Sequence, residues 1–342
     1  MNRERVLIYA VLLALAAAQD GFAIARHSDS RDEDYITFGN HFTSTVAAGY
    51  INQNAFHFRA SAVVIDNHWV LCSAHQYFDS SGLPLYSGAF ISLDSSFIAN
   101  PARLLIADRW YRYPDSTADA YGPDIALLYF ETPIAGVTPA VRFRGILKPG
   151  SSVSITGYGR TGTPQTGYLP PDYQRRGCQN RIDRFGDGIT FPEYTLFSDF
   201  APPQTPEYDP LGGIAAPGDS GGGWYNQDGL LIGVSIEVGT LAPVYDNFTI
   251  AQNITCFNDW IDAAMADMNR TRPLDLLDFA GLSACWMSTT GDARFNGGWD
   301  LVPDGRINLL DLLAFTNRWL DSQSDSTRFV SACSSGQSRT AW

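Results

Sequence analysis

The sequence is poor in positive charge, in cysteine and in long apolar runs. Its 342 residues hold 23 Lys and Arg against 36 Asp and Glu, a formal net charge of -13. That balance argues against nucleic acid as a partner, because phosphate binding needs clustered basic side chains. It suits a soluble, colloidally stable protein instead. Beyond the first eighteen residues no stretch is long and apolar enough to span a bilayer. There are five cysteines, so at least one is unpaired within a monomer. Cys72 sits in an apolar run and reads as a buried free thiol. Cys285 and Cys333 are candidates for a bridge tying the tail to the C-terminal part. Sustained helical periodicity is missing before about residue 256.

What the chain does have begins with an export leader. Arg3 and Arg5 give a basic start, and Val6 to Ala18 is an apolar run too short for a comfortable span. Ala23-Ile24-Ala25 fits the small-x-small cleavage pattern, with Ala16-Ala17-Ala18 as a second candidate. Residues 1–25 are therefore expected to be a signal peptide. The mature chain is expected to be secreted or extracytoplasmic, off the membrane, in a compartment where disulfides persist.

From about Tyr35 to Asp262, short apolar or alternating runs are broken by Gly, Pro, Asn and Asp. Ala60 to Leu71, Ile125 to Phe130, Ser152 to Gly157 and Leu230 to Ile236 read as strands of an all-β domain. The first helical stretch is Cys256 to Met268, with Trp260, Ile261 and Ala264 on one face. Beyond it the chain repeats itself. Leu274-Asp275-Leu276-Leu277-Asp278-Phe279, ending in Trp286-Met287, matches Ile307-Asn308-Leu309-Leu310-Asp311-Leu312, ending in Trp319-Leu320. The expected domains are 35–266, a repeat module at 267–321, and a Ser-rich disordered tail at 322–342.

Acyl transfer by serine needs a base, a carboxylate that orients it, and donors facing the developing oxyanion. Gly218-Asp219-Ser220-Gly221-Gly222 puts a serine on a tight turn, where the N–H groups of Gly218 and Ser220 can converge. A glycine-rich turn with an incidental serine would look the same in isolation. The candidate base is His75, delivered by the run Trp69 to Cys72 and followed by a polar loop. The candidate orienting acid is Asp124, which leads straight into the apolar Ile125-Ala126-Leu127-Leu128 and so needs a buried partner.

Together these segments resemble the trypsin/chymotrypsin family of serine peptidases. Ser73-Ala74-His75, Asp124-Ile125-Ala126-Leu127-Leu128 and Gly218-Asp219-Ser220-Gly221-Gly222 resemble its histidine, aspartate and serine motifs, in that fold's order. Gly157-Tyr158-Gly159 and the stretch Cys256 to Ala264 are similar to two further family segments. The resemblance implies two six-stranded antiparallel β-barrels with the triad between them. It also implies a serine endopeptidase acting on protein or peptide substrates, with no cofactor for catalysis. A catalytically inactive, peptidase-fold binding protein is the alternative, and an esterase using the same triad is a third reading.

Four departures from the family pattern stand out. Gln76 and, approximately, Arg59 occupy places the family often bridges by a disulfide, and Ala216 stands where a cysteine usually precedes the nucleophile. In the family, a newly cut Ile or Val terminus pairs with the Asp before the serine, here Asp219. A cut after Ala25 exposes Arg26 instead. The expectation is that no zymogen cut is needed and that His57, or a mature terminal residue, supports Asp219. In the pocket, Ile214 takes the place that sets charge selectivity, while Ser235-Ile236-Glu237 resembles the lining strand. That argues for small or apolar side chains, with Glu237 narrowing the pocket or adding charge. Gly223 follows the motif in place of the usual proline, with no evident meaning.

The C-terminal repeat has EF-hand-like spacing. Asp300, Asp304, Asn308 and Asp311 fall at positions 1, 5, 9 and 12 of one loop, with Gly305 at 6 and Val302 where a ligand is expected. The first copy offers Asp267, Asn269, Asp275 and Asp278 but has Arg272 at the glycine place. The pair resembles a dockerin module. That resemblance implies calcium, foremost in the second loop, and a cohesin-like docking partner.

Overall fold

The computed structural model describes residues 24–97, 103–117, 119–170, 172–240, 242–267, 274–302 and 304–322. Residues 1–23 of the expected leader, Asn269 and Arg272 of the first loop, and the tail 323–342 with Cys333 lie outside the described residues.

The chain enters through β1 (Ala25–Arg26) and the helix α1 (Asp32–Gly39). The first barrel follows as β2 (Thr45–Asn52), β3 (Ala55–Asp66), β4 (Trp69–Cys72), β5 (Gly88–Ser92), β6 (Leu104–Ile106), β7 (Arg109–Arg112) and β8 (Ala126–Tyr129). Its antiparallel order is β6-β5-β2-β3-β4-β8-β7. The two edge strands are halves of one bent run. Ala107 N donates to Ala89 O of β5 at 2.9 Å, and the next residue, Asp108, donates to Tyr129 O of β8 at 2.9 Å. Consecutive residues thus pair with opposite edges, which closes the sheet as a six-stranded barrel and removes its open edges.

The second barrel uses the same device. Its segments are β9 (Ser152–Gly157), β10 (Gly162–Thr163), β11 (Gly167–Tyr168), β12 (Arg176–Arg181), β13 (Arg184–Phe185), β14 (Thr195–Asp199), β15 (Gly213–Ile214), β16 (Gly223–Asn226), β17 (Leu231–Val238) and β18 (Phe248–Asn253). The order of the large sheet is β12-β9-β16-β17-β18-β14-β13. Ile182 N reaches Ser151 O beside β9 at 2.9 Å, and Asp183 N reaches Phe197 O of β14 at 2.8 Å. A small third sheet, β11-β10-β1-β15, takes in the N-terminal strand.

The four expected strands are all present, with Ala60 to Leu71 broken by a turn at Asn67-His68 into the end of β3 and most of β4. Helix α1 was not expected. It buries only Tyr35 and Gly39, so it shows no apolar stripe of helical period. Asp32, Glu33 and Asp34 in its first turn suit the helix dipole. Tertiary contacts hold it: Tyr35 Oη donates to Gly212 O at 2.7 Å, and the fully buried Arg176 guanidinium grips both Asp32 and Asp172.

Each barrel has an apolar interior. Val46, Ala62, Val64, Val70, Ile91 and Leu128 fill the first, and Val153, Ile155, Leu196, Trp224 and Ile232 the second. A buried polar cluster joins them, with Thr45 Oγ1 2.8 Å from Tyr225 Oη and 2.7 Å from Thr156 Oγ1. Helix α2 (Asn258–Ala266) closes the domain and buries Trp260, Ile261 and Ala264, the face expected from sequence.

Helices α3 (Leu276–Ala284) and α4 (Leu309–Ser322) form the C-terminal unit. Leu274, Leu282, Trp299, Ile307 and Phe315 pack with Ala266 of α2, so the unit shares a core with the closing helix. Cys72 is a buried free thiol, as expected. The proposed Cys285 bridge is not formed: Cys285 is free and buried, and Cys256 is the disulfide-bonded residue. Cys285 lies in the packed interior of the C-terminal unit. Among the described residues no helix is long and apolar enough to cross a membrane.

Candidate active site

The site lies where the two barrels meet. Strand β4 ends at Cys72, and the chain then tightens into a single 3-10 turn, Ala74–Gln76, which turns His75 out of the core. Asp124 sits just before β8, fully buried. Because β4 and β8 pair antiparallel, with Cys72 opposite Ala126, the two residues meet at one end of the ladder. Asp124 Oδ1 accepts the His75 backbone N–H at 2.9 Å, and Oδ2 lies 2.6 Å from His75 Nδ1. A carboxylate at Nδ1 fixes the proton there and leaves Nε2 as the acceptor. The Asp124 N–H donates to Gln252 Oε1 at 2.9 Å, so the second barrel anchors this loop.

The serine loop belongs to the second barrel. Gly218 has φ +97, a conformation costly for any residue with a side chain. Among the described residues the N–H groups of Gly218 and Ser220 have no acceptor. Their neighbours are all engaged: Asp219 N with Ala216 O, Gly221 N with Ser235 O and Gly222 N with Asp219 O. Two free N–H groups beside a half-buried serine are the arrangement that a developing oxyanion needs. Ser220 Oγ makes no hydrogen bond to His75 in this structure. Such contacts commonly tighten only with substrate bound.

Gln76 links the two halves. Its Nε2 reaches Ser73 Oγ at 2.7 Å, Ser220 O at 2.8 Å and Ser61 O at 3.2 Å. A hydrogen-bonded amide therefore stands where a disulfide might have been. Its counterpart is Ser61, not Arg59, whose guanidinium lies over the Tyr86 ring and reaches His75 O at 3.4 Å.

Asp219 is fully buried, and three backbone N–H groups surround it. Gly159 N donates to Oδ1 at 2.7 Å, while Ala216 N and Ile24 N donate to Oδ2 at 2.8 and 2.9 Å. Burial pushes its carboxyl up to about 7, and the three N–H bonds oppose that. The Gly157-Tyr158-Gly159 motif gains a reason here. A Cβ on Gly157 would lie 2.2 Å from Asp219 Oδ1.

Two expectations about Asp219 need correction. His57 is exposed on β3, stacked on Tyr50 at 5.0 Å, and takes no part in holding the acid. A leader ending at Ala25 would delete half of β1 and the Ile24 donor. Ile24 and Ala25 are fully buried, and Ala25 pairs with both Gly162 and Ile214. Ile24 is an apolar residue within Ala23-Ile24-Ala25, so the signal for this donor lies inside the small-x-small triplet itself.

Of the pocket candidates, Ile214 is fully buried against Ala25 and Phe200, beneath the N-terminal strand. Ser235 Oγ accepts the Trp224 indole N–H at 2.9 Å. Glu237 follows an irregularity in the β17–β18 register and is half-buried. Burial pushes its carboxyl up to about 7; the His75 charge opposes this, and Asp124 and Asp119 reinforce it. Glu237 is therefore within electrostatic reach of the triad.

The repeat loops are arranged differently from a closed cation site. Asp311 Oδ1 and Oδ2 accept the Val302 and Asn308 N–H groups at 2.9 and 2.8 Å. Asp300 accepts from Asp304 N and Gly305 N, and the Asn308 amide donates to Asp304 Oδ2. Asp275 caps α3 in a reciprocal pair with Asp278. Among the described residues no group of three or more His, Cys, Asp or Glu side chains is placed to hold a metal.

A family model described as Trypsin matches residues 39–261, more than half of the chain. The chain belongs to the trypsin family. The matched span contains the histidine, aspartate and serine segments and both barrels of this trypsin-family domain. It begins at the last residue of α1 and ends within α2, so neither the Ile24 donor nor the C-terminal unit falls inside it. No curated protein matches the chain.

Proposed function

We propose that the chain is an exported serine endopeptidase that cleaves peptide bonds through an acyl-enzyme on Ser220. The contact that carries this reading is His75 Nδ1 to Asp124 Oδ2 at 2.6 Å, with Asp124 fully buried and Gln76, the residue after His75, bonded to the backbone of a serine loop whose Gly218 and Ser220 N–H groups have no acceptor among the described residues. Ser220 Oγ attacks the substrate carbonyl while His75 Nε2 takes its proton. The tetrahedral oxyanion lies between the Gly218 and Ser220 N–H groups. His75 returns the proton to the leaving amine, and water then repeats the sequence on the ester. Asp124 keeps the imidazole in one tautomer and stabilises its cation.

The C-terminal unit is proposed as a docking module. Leu276 and Leu277 of α3, and Leu309, Leu310 and Leu313 of α4, stand exposed at corresponding ends of the two helices. A duplicated apolar edge of this kind suits a protein partner.

A fluorophosphonate probe tests the enzyme reading. The expected result is one covalent adduct on Ser220 and none in Ser220→Ala. No adduct on the wild type would favour a binding protein with a peptidase fold. Paired peptide and ester substrates separate a peptidase from an esterase.

A further inference from the structure

Arg59 is a cation beside the triad with no acid paired to it among the described residues. It is the extra residue of a bulge. Ala48 of β2 pairs with Ala60, and the next residue, Gly49, pairs with Phe58, so Arg59 has no partner on β2. Bulges next to reactive centres re-aim a side chain. Here the guanidinium turns to the histidine loop. Its Nη2 lies 3.4 Å from His75 O, and the group sits over the Tyr86 ring at 5.7 Å. Tyr86 stacks on Tyr50 at 3.7 Å and Tyr50 on His57 at 5.0 Å, so the ring that carries the guanidinium is itself braced.

The group is half-buried and under-used. Arg59 Nε is buried without an acceptor. A guanidinium offers five N–H donors in a planar fork, and the bond to His75 O uses one of them. Taking a cation partly out of water is costly unless an anion meets it. Acids are plentiful in a chain of net charge -13, and Arg142, Arg176 and Arg184 each hold an aspartate. Arg59 keeps its fork open beside the base instead.

Its place in the cleft says which part of a substrate it meets. Two residues further along β3, Ser61 N donates to Ser220 O at 3.0 Å and Ser61 Oγ to Gly218 O at 3.0 Å. Strand β17 meets the same serine loop from the other barrel, where Gly221 N donates to Ser235 O at 2.6 Å. His75 hands its proton to the departing amine, so the departing half of the peptide passes on the His75 side of the cleft. Arg59 stands on that side. We propose that Arg59 is a specificity-determining residue that binds a substrate carboxylate on the leaving-group side of the cleaved bond. The favoured substrates carry Asp or Glu as the first or second residue after that bond, or end there in a free carboxylate. Both present the same planar oxygen pair to the guanidinium fork. This rests on the serine peptidase reading above.

The test compares kcat/KM on internally quenched peptides that differ only after the cleaved bond, Glu against Gln. The wild type is expected to favour Glu about 10-fold, the lower range for a hydrogen bond to a charged group. Arg59→Gln is expected to bring that ratio to about one, and Arg59→Lys to restore part of it. Arg59→Glu is expected to turn the preference toward a Lys peptide. Each ratio is taken within one protein, so a general effect on folding or on His75 cancels. A merely structural arginine would lower both rates together and leave the ratio where it was. The wild-type ratio needs no variant, so the inference stays open to refutation even if a variant fails to fold. A further pair of peptides ends two residues past the bond as a free acid or as an amide. A preference for Glu alone assigns an internal acidic side chain, and a preference for the free acid alone assigns the chain terminus. A wild type that labels with fluorophosphonate and cleaves peptides with neither preference, or an unchanged ratio in Arg59→Gln, overturns the inference and leaves the peptidase reading intact. A wild type that neither labels nor cleaves sinks the peptidase reading, and this inference with it.

Discussion

The two sides of the active site are held by different means. The base side is local to the first barrel: β4 delivers His75, β8 delivers Asp124, and their pairing brings the two together. The nucleophile side depends on remote chain. Asp219 is fixed by Gly159, by Ala216 and by Ile24, which is 195 residues away in sequence. A site built this way has a base side set within one barrel and a nucleophile side that depends on distant segments of the chain.

The sharpest way to break the base side is Asp124→Asn. It is expected to lower kcat by about 10⁴-fold, because the imidazole loses its fixed tautomer. Steady-state kinetics on a peptide substrate would check this, with an unchanged unfolding curve ruling out misfolding. On the nucleophile side, Asp219→Asn is expected to cost about 10²- to 10³-fold in kcat/KM through a disordered oxyanion loop. The His75–Asp124 pair should survive, which NMR of the Nδ1 proton would show. If Asp219→Asn also removes that proton signal, the two sides are not independent.

Smaller changes sharpen the comparison. Gly157→Ala pushes a Cβ to within 2.2 Å of Asp219 Oδ1. It is expected to destabilise by about 1–3 kcal/mol through overpacking, and to depress activity more than an equally destabilising change in the first barrel. Gln76→Ala removes a side chain that bonds both to the histidine loop, at Ser73, and to the serine loop, at Ser220 O. About 1–3 kcal/mol of stability should be lost, read from denaturant midpoints. A matching fall in labelling rate would show that the amide couples the sides.

The pH dependence of stability gives the subtlest test. The folded state holds the Asp219 proton up to about 7, above the ordinary carboxylate value. The folded state then binds more protons than the unfolded chain, so stability falls as pH rises from about 4 to 7. Glu237, also pushed up to about 7, contributes with the same sign. Asp219→Asn should flatten part of the slope and Glu237→Gln the rest.

Much of the catalytic side was legible in the sequence. His75, Asp124 and Ser220 each stand in a run whose composition announces a strand end, a buried acid or a tight turn. The closing helix was legible too, because Trp260, Ile261 and Ala264 fall on one face. The supports were not. Helix α1 has no apolar stripe and is held by Arg176 from the far barrel. His57 looked like a partner for Asp219 and instead stacks on Tyr50, because its strand places it at the exposed end of β3. The repeat loops kept ligand spacing, yet their carboxylates cap backbone N–H groups. Spacing records which residue types are present, not which way their oxygens turn.

The sequence by itself determined the β class, the order of the reactive groups and the duplicated unit at the C-terminus. These are properties of local pattern, since strand alternation, glycine-rich turns and repeats are written over a few neighbouring residues. Only the tertiary structure decided that Gln76 joins the two loops, that Cys256 rather than Cys285 is bridged, and that Ile24 meets Asp219. Each depends on barrel closure bringing distant backbone within about 3 Å, the range of a hydrogen bond. No short-range pattern encodes that.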